Sequence, residues 1–348
     1  MNNKPKAPIS LKCSVLLLAK YSGLFALARI LTARKTRILA YHGIWLGRSH
    51  FGNFLYMSAD KFAARMALLD KWRYPVVPLA DLSSNKRRRC ATVITIDDGW
   101  YSTWAAMLPA LERHNYQATV YLTTYYCLKQ VPVIDVALSY CFRTVDTDKG
   151  STLHLPEYDF GHVRIDTDAA RHVALKSAQD ICASLDDDRA RQRFLKAVCE
   201  ETGIDHEEFA AGRWFHLMNS VEVRDAATRG ITFEAHTHHH GVTHRGQDSL
   251  AEEISTNSEW IRELTGKAPE HFCYPSGRYS LDLWPVLDKC HMASATTTNT
   301  GLVSKRTPRY AMPRIMDGQD VSELEFEAEM SGFMELLRVA RGVSKGAG

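Results

Sequence analysis

The sequence predicts an α/β fold built on a parallel sheet or barrel. Short apolar runs alternate with stretches of helical periodicity over most of the chain, the pattern of repeated strand–helix units. The residues best suited to chemistry, His42, Asp97-Asp98, His236 and Pro275-Ser276, each stand directly after such an apolar run. In a barrel, chemistry collects at the C-terminal ends of the strands.

The elements follow in order. Leu11 to Leu31 is rich in Leu, Ala, Val and Ile, but Lys12, Lys20 and Arg29 interrupt it. A spanning helix needs roughly 20 mostly apolar residues, and Val15 to Ala19 is too short for the apolar stretch of a secretory signal. Residues 1–37 are therefore expected to form an amphipathic helix and a basic linker containing Arg34, Lys35 and Arg37. Residues 11–37 either associate peripherally with an anionic membrane surface or pack on the domain. Ile38 to His42 reads as a buried strand ending in a histidine. Ser58 caps a helix in which Phe62, Met66 and Leu69 recur at helical spacing. Tyr74 to Leu79 is a second strand candidate, peripheral because it carries Pro75 and Pro78. Thr92 to Ile96 is the central strand, Trp104, Leu108 and Leu111 supply a helix face, and Ala118 to Leu122 is the next strand.

The alternation stops between about 126 and 211. Thr152 to Ile165 alternates as a hairpin would, and Ala169 to Cys199 reads as a helix with a charged middle at Asp186-Asp187-Asp188-Arg189. This stretch is expected to be a mostly helical insertion or cap. Val221 to Thr228 is then a helix ended by Gly230, and Ile231 to Ala235 a strand leading into histidines. Ser249 to Leu264 is a helix with Leu250, Ile254, Ile261 and Leu264 on one face. Phe272 to Tyr274 is a strand, Leu283 to Cys290 a helix and Ala293 to Thr297 a strand. The catalytic domain is thus expected over 38–332, with a helix end and a disordered tail over 333–348.

Composition narrows the function. A hydrophobic share of 45% over 348 residues supports a substantial core, and a net charge of +3 gives no reason to invoke nucleic acid. The one dense basic block, Lys86-Arg87-Arg88-Arg89, lacks neighbouring aromatics for base stacking and reads as a solvated loop. Eight scattered cysteines, none in a Cys-x-x-Cys pair, argue against a disulfide framework or zinc knuckle and favour a reducing compartment.

The chemistry rests on two clusters. Side chains alternate along a strand, so adjacent Asp97 and Asp98 cannot share one role. A catalytic zinc-type site has three protein ligands and one open position; Asp98, His236 and His240 meet that count. Asp97, left uncoordinated, is suited to take a proton from a water acidified at such a site. His238, His239 and His244 are supporting or surface groups. Amide hydrolysis also needs an acid, because an amide anion leaves poorly, and His42 is the candidate. Arg314 either orients Asp97, binds substrate or forms a structural ion pair.

These residues resemble a known family. Thr95-Ile96-Asp97-Asp98-Gly99 is similar to the Thr-Phe-Asp-Asp-Gly motif of the polysaccharide deacetylases, the NodB-homology or carbohydrate esterase family four group. His236-Thr237-His238-His239-His240 matches their His-(Ser/Thr)-x-x-His motif. Phe272-Cys273-Tyr274-Pro275-Ser276-Gly277 resembles the Phe-Ala-Tyr-Pro-Tyr-Gly motif of one branch, and Leu39-Ala40-Tyr41-His42 its Leu-x-Tyr-His opening. The resemblance implies a distorted (β/α) barrel of the NodB-homology type and a divalent-metal N-deacetylase. It puts Asp97 at the base position and Asp98, His236 and His240 at the metal positions. Tyr274, Pro275 and Ser276 fall in the substrate and oxyanion loop, where the donor is Ser276 because proline has no N–H. Zn2+ is the expected cofactor, with Co2+, Ni2+ and Mn2+ as alternatives.

Departures are informative. Ile96 replaces the usual Phe, and Ser276 the usual Tyr, so a substrate-packing ring is lost. The late Leu-x-His motif is absent near Met312-Pro313-Arg314; in the branch that opens with Leu-x-Tyr-His the early histidine takes the acid role, which points to His42. The arginine that normally precedes the third motif's proline is missing, and Arg314 or Arg278 can stand in. The expected activity is removal of an N-acetyl group from an amino sugar of a glycan or lipid-linked glycan precursor, in exopolysaccharide or cell-envelope biosynthesis. The expected location is the cytoplasm or the inner membrane surface. Alternatives are a deformylase or other amidase on a lipid-linked amino sugar, a non-catalytic glycan-binding or membrane-associated protein, and a histidine-rich metal binder.

Overall fold

Seven parallel strands close into a barrel whose C-terminal rim carries the candidate site. The computed structural model describes residues 11–83, 88–145, 152–241 and 247–342. The strands are β1 (Arg37–Tyr41), β2 (Gly43–Ile44), β3 (Tyr56–Met57), β4 (Thr92–Asp98), β5 (Ala118–Leu122), β6 (Thr152–Leu155), β7 (Phe160–Arg164), β8 (Ile231–Ala235), β9 (His271–Cys273), β10 (Ser294–Thr300) and β11 (Met312–Met316). The barrel runs β1-β11-β10-β9-β8-β5-β4, and β4 returns to β1. Every residue of β1, β4 and β5 is buried. That follows from near-continuous apolar runs in strands covered on both faces. The β1–β4 register pairs Tyr41 with Ile96, so the residues that follow, His42 and Asp97, emerge side by side. The fold is the expected (β/α) barrel.

Local chemistry corrects three expectations. Tyr74 to Leu79 is no strand: it makes one isolated bridge, Val76 to Thr92, because Pro75 and Pro78 offer no N–H to extend a ladder. Ala169 to Cys199 is two helices, Asp168–Ser184 and Asp188–Thr202. The charged middle is the break itself, where the Asp187 carboxylate accepts the Ala190 N–H at 2.7 Å as an N-cap. Leu11 to Leu31 is also two helices, Leu11–Tyr21 and Leu24–Leu31, bent by 74°. Gly23 makes that corner with φ +82°. Leu16, Ala19 and Phe25 pack with Ala328 of the helix Glu323–Ser331, so one face of the pair is docked on the domain. No single described helix is long and apolar enough to cross a membrane.

The insertion forms a cap with its own core. Helices Ile134–Thr144, Asp168–Ser184 and Asp188–Thr202 and the β6–β7 hairpin bury Leu138, Phe142, Leu153 and Phe194. That core is continuous with Trp45 and Phe51 of the segment between β2 and β3 and with Trp100 just past the C-terminal end of β4. The Trp45 ring centroid is 4.6 to 6.0 Å from those of Phe51, Tyr56, Tyr140, Trp214 and Phe215. The aromatic joint fixes the cap over the barrel mouth, each such pair adding about 1 kcal/mol to the burial itself. The basic pair Lys86-Arg87, His244 and the tail from 343 lie outside the described residues.

Candidate active site

The turn after β4 sets the geometry. Asp98 (φ +70°) and Gly99 (φ +87°) both adopt left-handed backbone. A Cβ on Gly99 would lie 2.5 Å from the Leu122 side chain, so only glycine fits there. The Asp98 Oδ1 atom then lies 3.3 Å from His236 Nε2 and 3.2 Å from His240 Nε2. Its Oδ2 accepts the Trp100 indole N–H at 2.8 Å. His236 follows β8 directly. The loop brings His240 back through positive φ at Thr237 (+65°) and His240 (+60°). A β-branched residue in that region is a true outlier, and such strain persists only where neighbours enforce it.

Asn257 is that enforcer. It is fully buried on the helix Gln247–Thr265. Its Oδ1 accepts the His236 N–H at 3.1 Å. Its Nδ2 donates to the carbonyls of Thr237 (2.8 Å) and Leu122 (2.9 Å) and lies 3.0 Å from Thr124 Oγ1. Sequence reasoning missed it, although a signal existed: Asn257 is a polar residue on the apolar face formed by Leu250, Ile254, Ile261 and Leu264. Trp100 was missed as well; a tryptophan after the Asp-Asp-Gly turn carries no obvious role until its indole is seen on Asp98.

The three donors fit a divalent cation. Their ligating atoms lie within 4.8 Å of one another. Oδ1 of Asp98 is buried without a hydrogen-bond partner. The His236 Nδ1 is 2.8 Å from the Cys273 carbonyl; donating there leaves Nε2 as the lone pair aimed at Asp98. Burial pushes the Asp98 carboxyl up, but His240 and His236 outweigh it and hold the group well below the carboxylate range. Burial lowers His236, yet Cys273 and Asp98 hold it well above the usual imidazole value. Both directions favour positive charge between these atoms. Asp97, His236 and Cys273 form a second set of donors at the same spacing, but the guanidinium beside Asp97 disfavours a cation there.

Asp97 is held by Arg314. Two parallel bonds, 2.7 Å to Oδ1 and 2.8 Å to Oδ2, join the groups. Arg314 also donates to the Thr297 carbonyl at 2.9 Å and to Thr95 Oγ1 at 3.2 Å. Burial raises the Asp97 carboxyl, and the Arg314 charge and hydrogen bonds reverse this, keeping it below its ordinary value. Arg314 is 1% exposed and does not line the cavity, so it stands behind Asp97 and not on the cavity wall. Arg278 is exposed; the choice between the two arginines falls on Arg314. His42 Nε2 lies 3.7 Å from Asp97 Oδ2. Burial pushes its imidazole down against the pull of Asp97 and Asp98, so it rests neutral at pH 7.

His42, Asp97, Asp98, His236, His240, Tyr274 and Ser276 line one cavity of about 640 Å³. Pro275 is buried behind it. Ser276 (φ +57°) and Gly277 (φ +65°) form a left-handed turn against Thr298. The Tyr274 ring faces the cavity, while its hydroxyl donates to the Tyr310 carbonyl at 3.0 Å. His238 and His239 take supporting places: Nδ1 of His238 is 2.8 Å from Thr124 Oγ1, and His239 pairs with Glu253 at 2.7 Å. Tyr126, Asp135 and Gln179 of the cap close one side of the cavity.

The polysaccharide deacetylase family model matches residues 184–295. None of the curated proteins is similar to the chain at a significant level. Among solved structures, the fold is similar to the Streptococcus pyogenes deacetylase PplD in complex with acetate, with 15% identity and a TM-score of 0.56, covering 85% of this chain and 98% of that one. It is also similar to IcaB from Ammonifex degensii (14% identity, TM-score 0.52, 86% and 97% coverage). A third is the de-N-acetylase from Aggregatibacter actinomycetemcomitans (13% identity, TM-score 0.52, 85% and 99% coverage). At these identities the structural likeness speaks for the fold. The family model covers the histidine motif and the Tyr-Pro-Ser-Gly loop, and the barrel gathers both with the aspartate pair in one cavity: residues 184–295 match the polysaccharide deacetylase family model, and the barrel has the fold of the deacetylase structures.

Proposed function

We propose that this protein is a divalent-metal-dependent N-deacetylase that removes an acetyl group from an amino sugar of a glycan or lipid-linked glycan precursor. The observation that carries the reading is the joint placement of the Asp98, His236 and His240 donors and the Arg314-held Asp97 around one cavity. A pure binding site would not need a buried, oriented carboxylate next to the ligand cluster. A cation bound by the three donors, Zn2+ by the chemistry of one carboxylate and two imidazoles, supplies Lewis acidity toward a water and an amide carbonyl.

The chain's own groups do the rest. Asp97 accepts the proton of the attacking water as the C–O bond forms. Its low basicity in the Arg314 clamp keeps it ionised and ready at neutral pH. The Ser276 N–H is the donor available to the developing oxyanion, since Pro275 has none. The departing amine needs a proton as the C–N bond breaks. His42 rests neutral, so it delivers that proton after receiving one from Asp97, 3.7 Å away. Water's two hydrogens then end one on the amine and one on acetate or solvent. Two proteins that share the fold are a de-N-acetylase and a deacetylase solved with acetate, the product expected here.

The test is acetate and formate release by the metal-loaded protein, on N-acetylhexosamine oligomers and on a lipid-linked glycan extract, with Asp97→Asn alongside. Acetate released by the wild type and lost in the variant supports the reading. Formate alone replaces it with a deformylase. No release from either substrate by protein that holds its metal refutes it.

A further inference from the structure

The helix Leu24–Leu31 is apolar nearly all round. Phe25 and Ala28 are buried against the domain. Leu24, Leu27 and Leu31 recur at helical spacing on the other side, with Ile30 beside them; Leu27 is 50% and Ile30 and Leu31 are each 63% exposed. A soluble surface rarely leaves such a stripe bare. Beside it lies a hollow of about 290 Å³ lined by Arg29, Ile30, Ala33, Arg73, Arg89 and Cys90. No carboxylate lines it, and among the described residues none of its three arginines has an acidic partner. Arg29 is already fixed in place: its guanidinium donates to the Trp72 carbonyl at 2.6 Å and sits 4.3 Å above the Tyr74 ring. Exposed Arg34 and Arg88 extend the basic rim.

The topology says which end of the molecule this is. The Ala33 carbonyl accepts the Cys90 N–H at 2.7 Å, just before β4 begins, and Thr36 pairs with Val303 as β1 begins. The stripe and the hollow therefore lie at the N-terminal ends of the strands, about 20 Å by strand length from the catalytic rim.

We propose that the base of the barrel is a docking surface for an anionic bilayer. Leu27, Ile30 and Leu31 enter the boundary between headgroups and acyl chains, and Arg29, Arg73 and Arg89 hold a lipid phosphate. A short apolar helix flanked by arginines is suited to that boundary. A second copy of the chain fits poorly, because a two-fold contact sets each patch against itself and brings the same unpaired arginines together. The catalytic mouth then opens away from the docked membrane, so the acetylated sugar is presented from the aqueous side. The docking does not depend on the reaction at the other end.

The experiment is co-sedimentation of the full chain with mixed phosphatidylcholine/phosphatidylglycerol vesicles and with pure phosphatidylcholine vesicles, at low and high salt. Variants are Arg73→Gln with Arg89→Gln, and Leu27→Ser with Ile30→Ser; retained metal binding serves as the fold control. The wild type is expected on the mixed vesicles only, weakening with salt. Loss of each arginine should weaken binding about fivefold, so that the double variant loses about 25-fold. The Leu27/Ile30 variant should fail to sediment. Equal binding to both vesicle types, no binding to either, or wild-type binding by the arginine variant overturns the proposal. So does a lipid-free dimer that Leu27→Ser/Ile30→Ser dissociates, which would assign the stripe to a second copy.

Discussion

Replacing Arg314 by Met removes a cation of similar length from beneath Asp97. The two charge-assisted bonds at 2.7 and 2.8 Å vanish, and the Thr297 carbonyl loses its donor. Removing one partner of a buried pair costs about 3–5 kcal/mol, because the remaining charge stays behind uncompensated. Asp97 has an escape: it can take up a proton. Burial alone raises its pKa, and Arg314 is the largest influence holding it down. Without Arg314 the folded-state value rises above the unfolded one, so the variant's Asp97 favours folding while protonated and loses that advantage as pH increases. In the wild type the sign is reversed, with stability present above the ordinary carboxylate value and lost on acidification. Calorimetry at pH 7 should show a melting temperature lower by about 5 °C, scaling the entropy of unfolding to a chain of this size. The acid limb of the kcat/KM profile for acetate release should move to higher pH, with a loss of at least about 100-fold at pH 7 that alkaline pH partly restores, since only the ionised base works. An unchanged acid limb together with wild-type stability would refute the assignment of Arg314 as the group that ionises Asp97.

The remaining predictions concern the metal and the cap. Asp98→Ala should release the cation on dialysis, read by elemental analysis; uptake that survives the change would mean that the histidines bind metal without it. Saturating the wild type with Zn2+ at about a hundred times its dissociation constant should add about 2.7 kcal/mol of stability in urea titrations, and Asp98→Ala should abolish that increment. Asn257→Leu should weaken metal binding about 10–100-fold by isothermal titration, as loss of a supporting hydrogen-bond partner does, because the His236–His240 loop loses its hold. His216, pushed down to about 4 by burial with smaller pushes from Arg213 and His206, contributes stability above its unfolded value near 6.5 that is lost as pH falls through its folded value. Urea melts from pH 7 to pH 4 should therefore show a drop of up to about 3 kcal/mol that His216→Asn reduces.

The barrel was legible because its strands are apolar runs that end at functional residues, and because parallel strands covered on both faces leave that signature. The donors Asp98, His236 and His240 were legible as motifs. The choice of Arg314 over Arg278 was not, since it turns on β11 lying beside β1, a pairing between residues that most of the chain separates. Asn257 was hidden for a related reason: it acts from a helix neighbouring the loop it holds, and only its misplaced polarity hints at that. The break at Asp187 was misread because aspartates score equally well as a solvated helix face and as a cap. The bend at Gly23 was not legible because a single glycine inside an apolar stretch is as compatible with a continuous helix as with a corner.

Trp100 has a wider consequence. Its ring belongs to the aromatic core of the cap, and its N–H holds the second oxygen of Asp98, one of the three candidate metal donors. The part of the molecule suited to selecting substrates and the part suited to transforming them thus share one side chain. Transplanting the cap onto another barrel would need Trp45, Tyr56 and Trp100 to travel with it. A cap redesigned for a new sugar would retune the metal site along with the fit, so selectivity and reactivity in this chain are expected to change together.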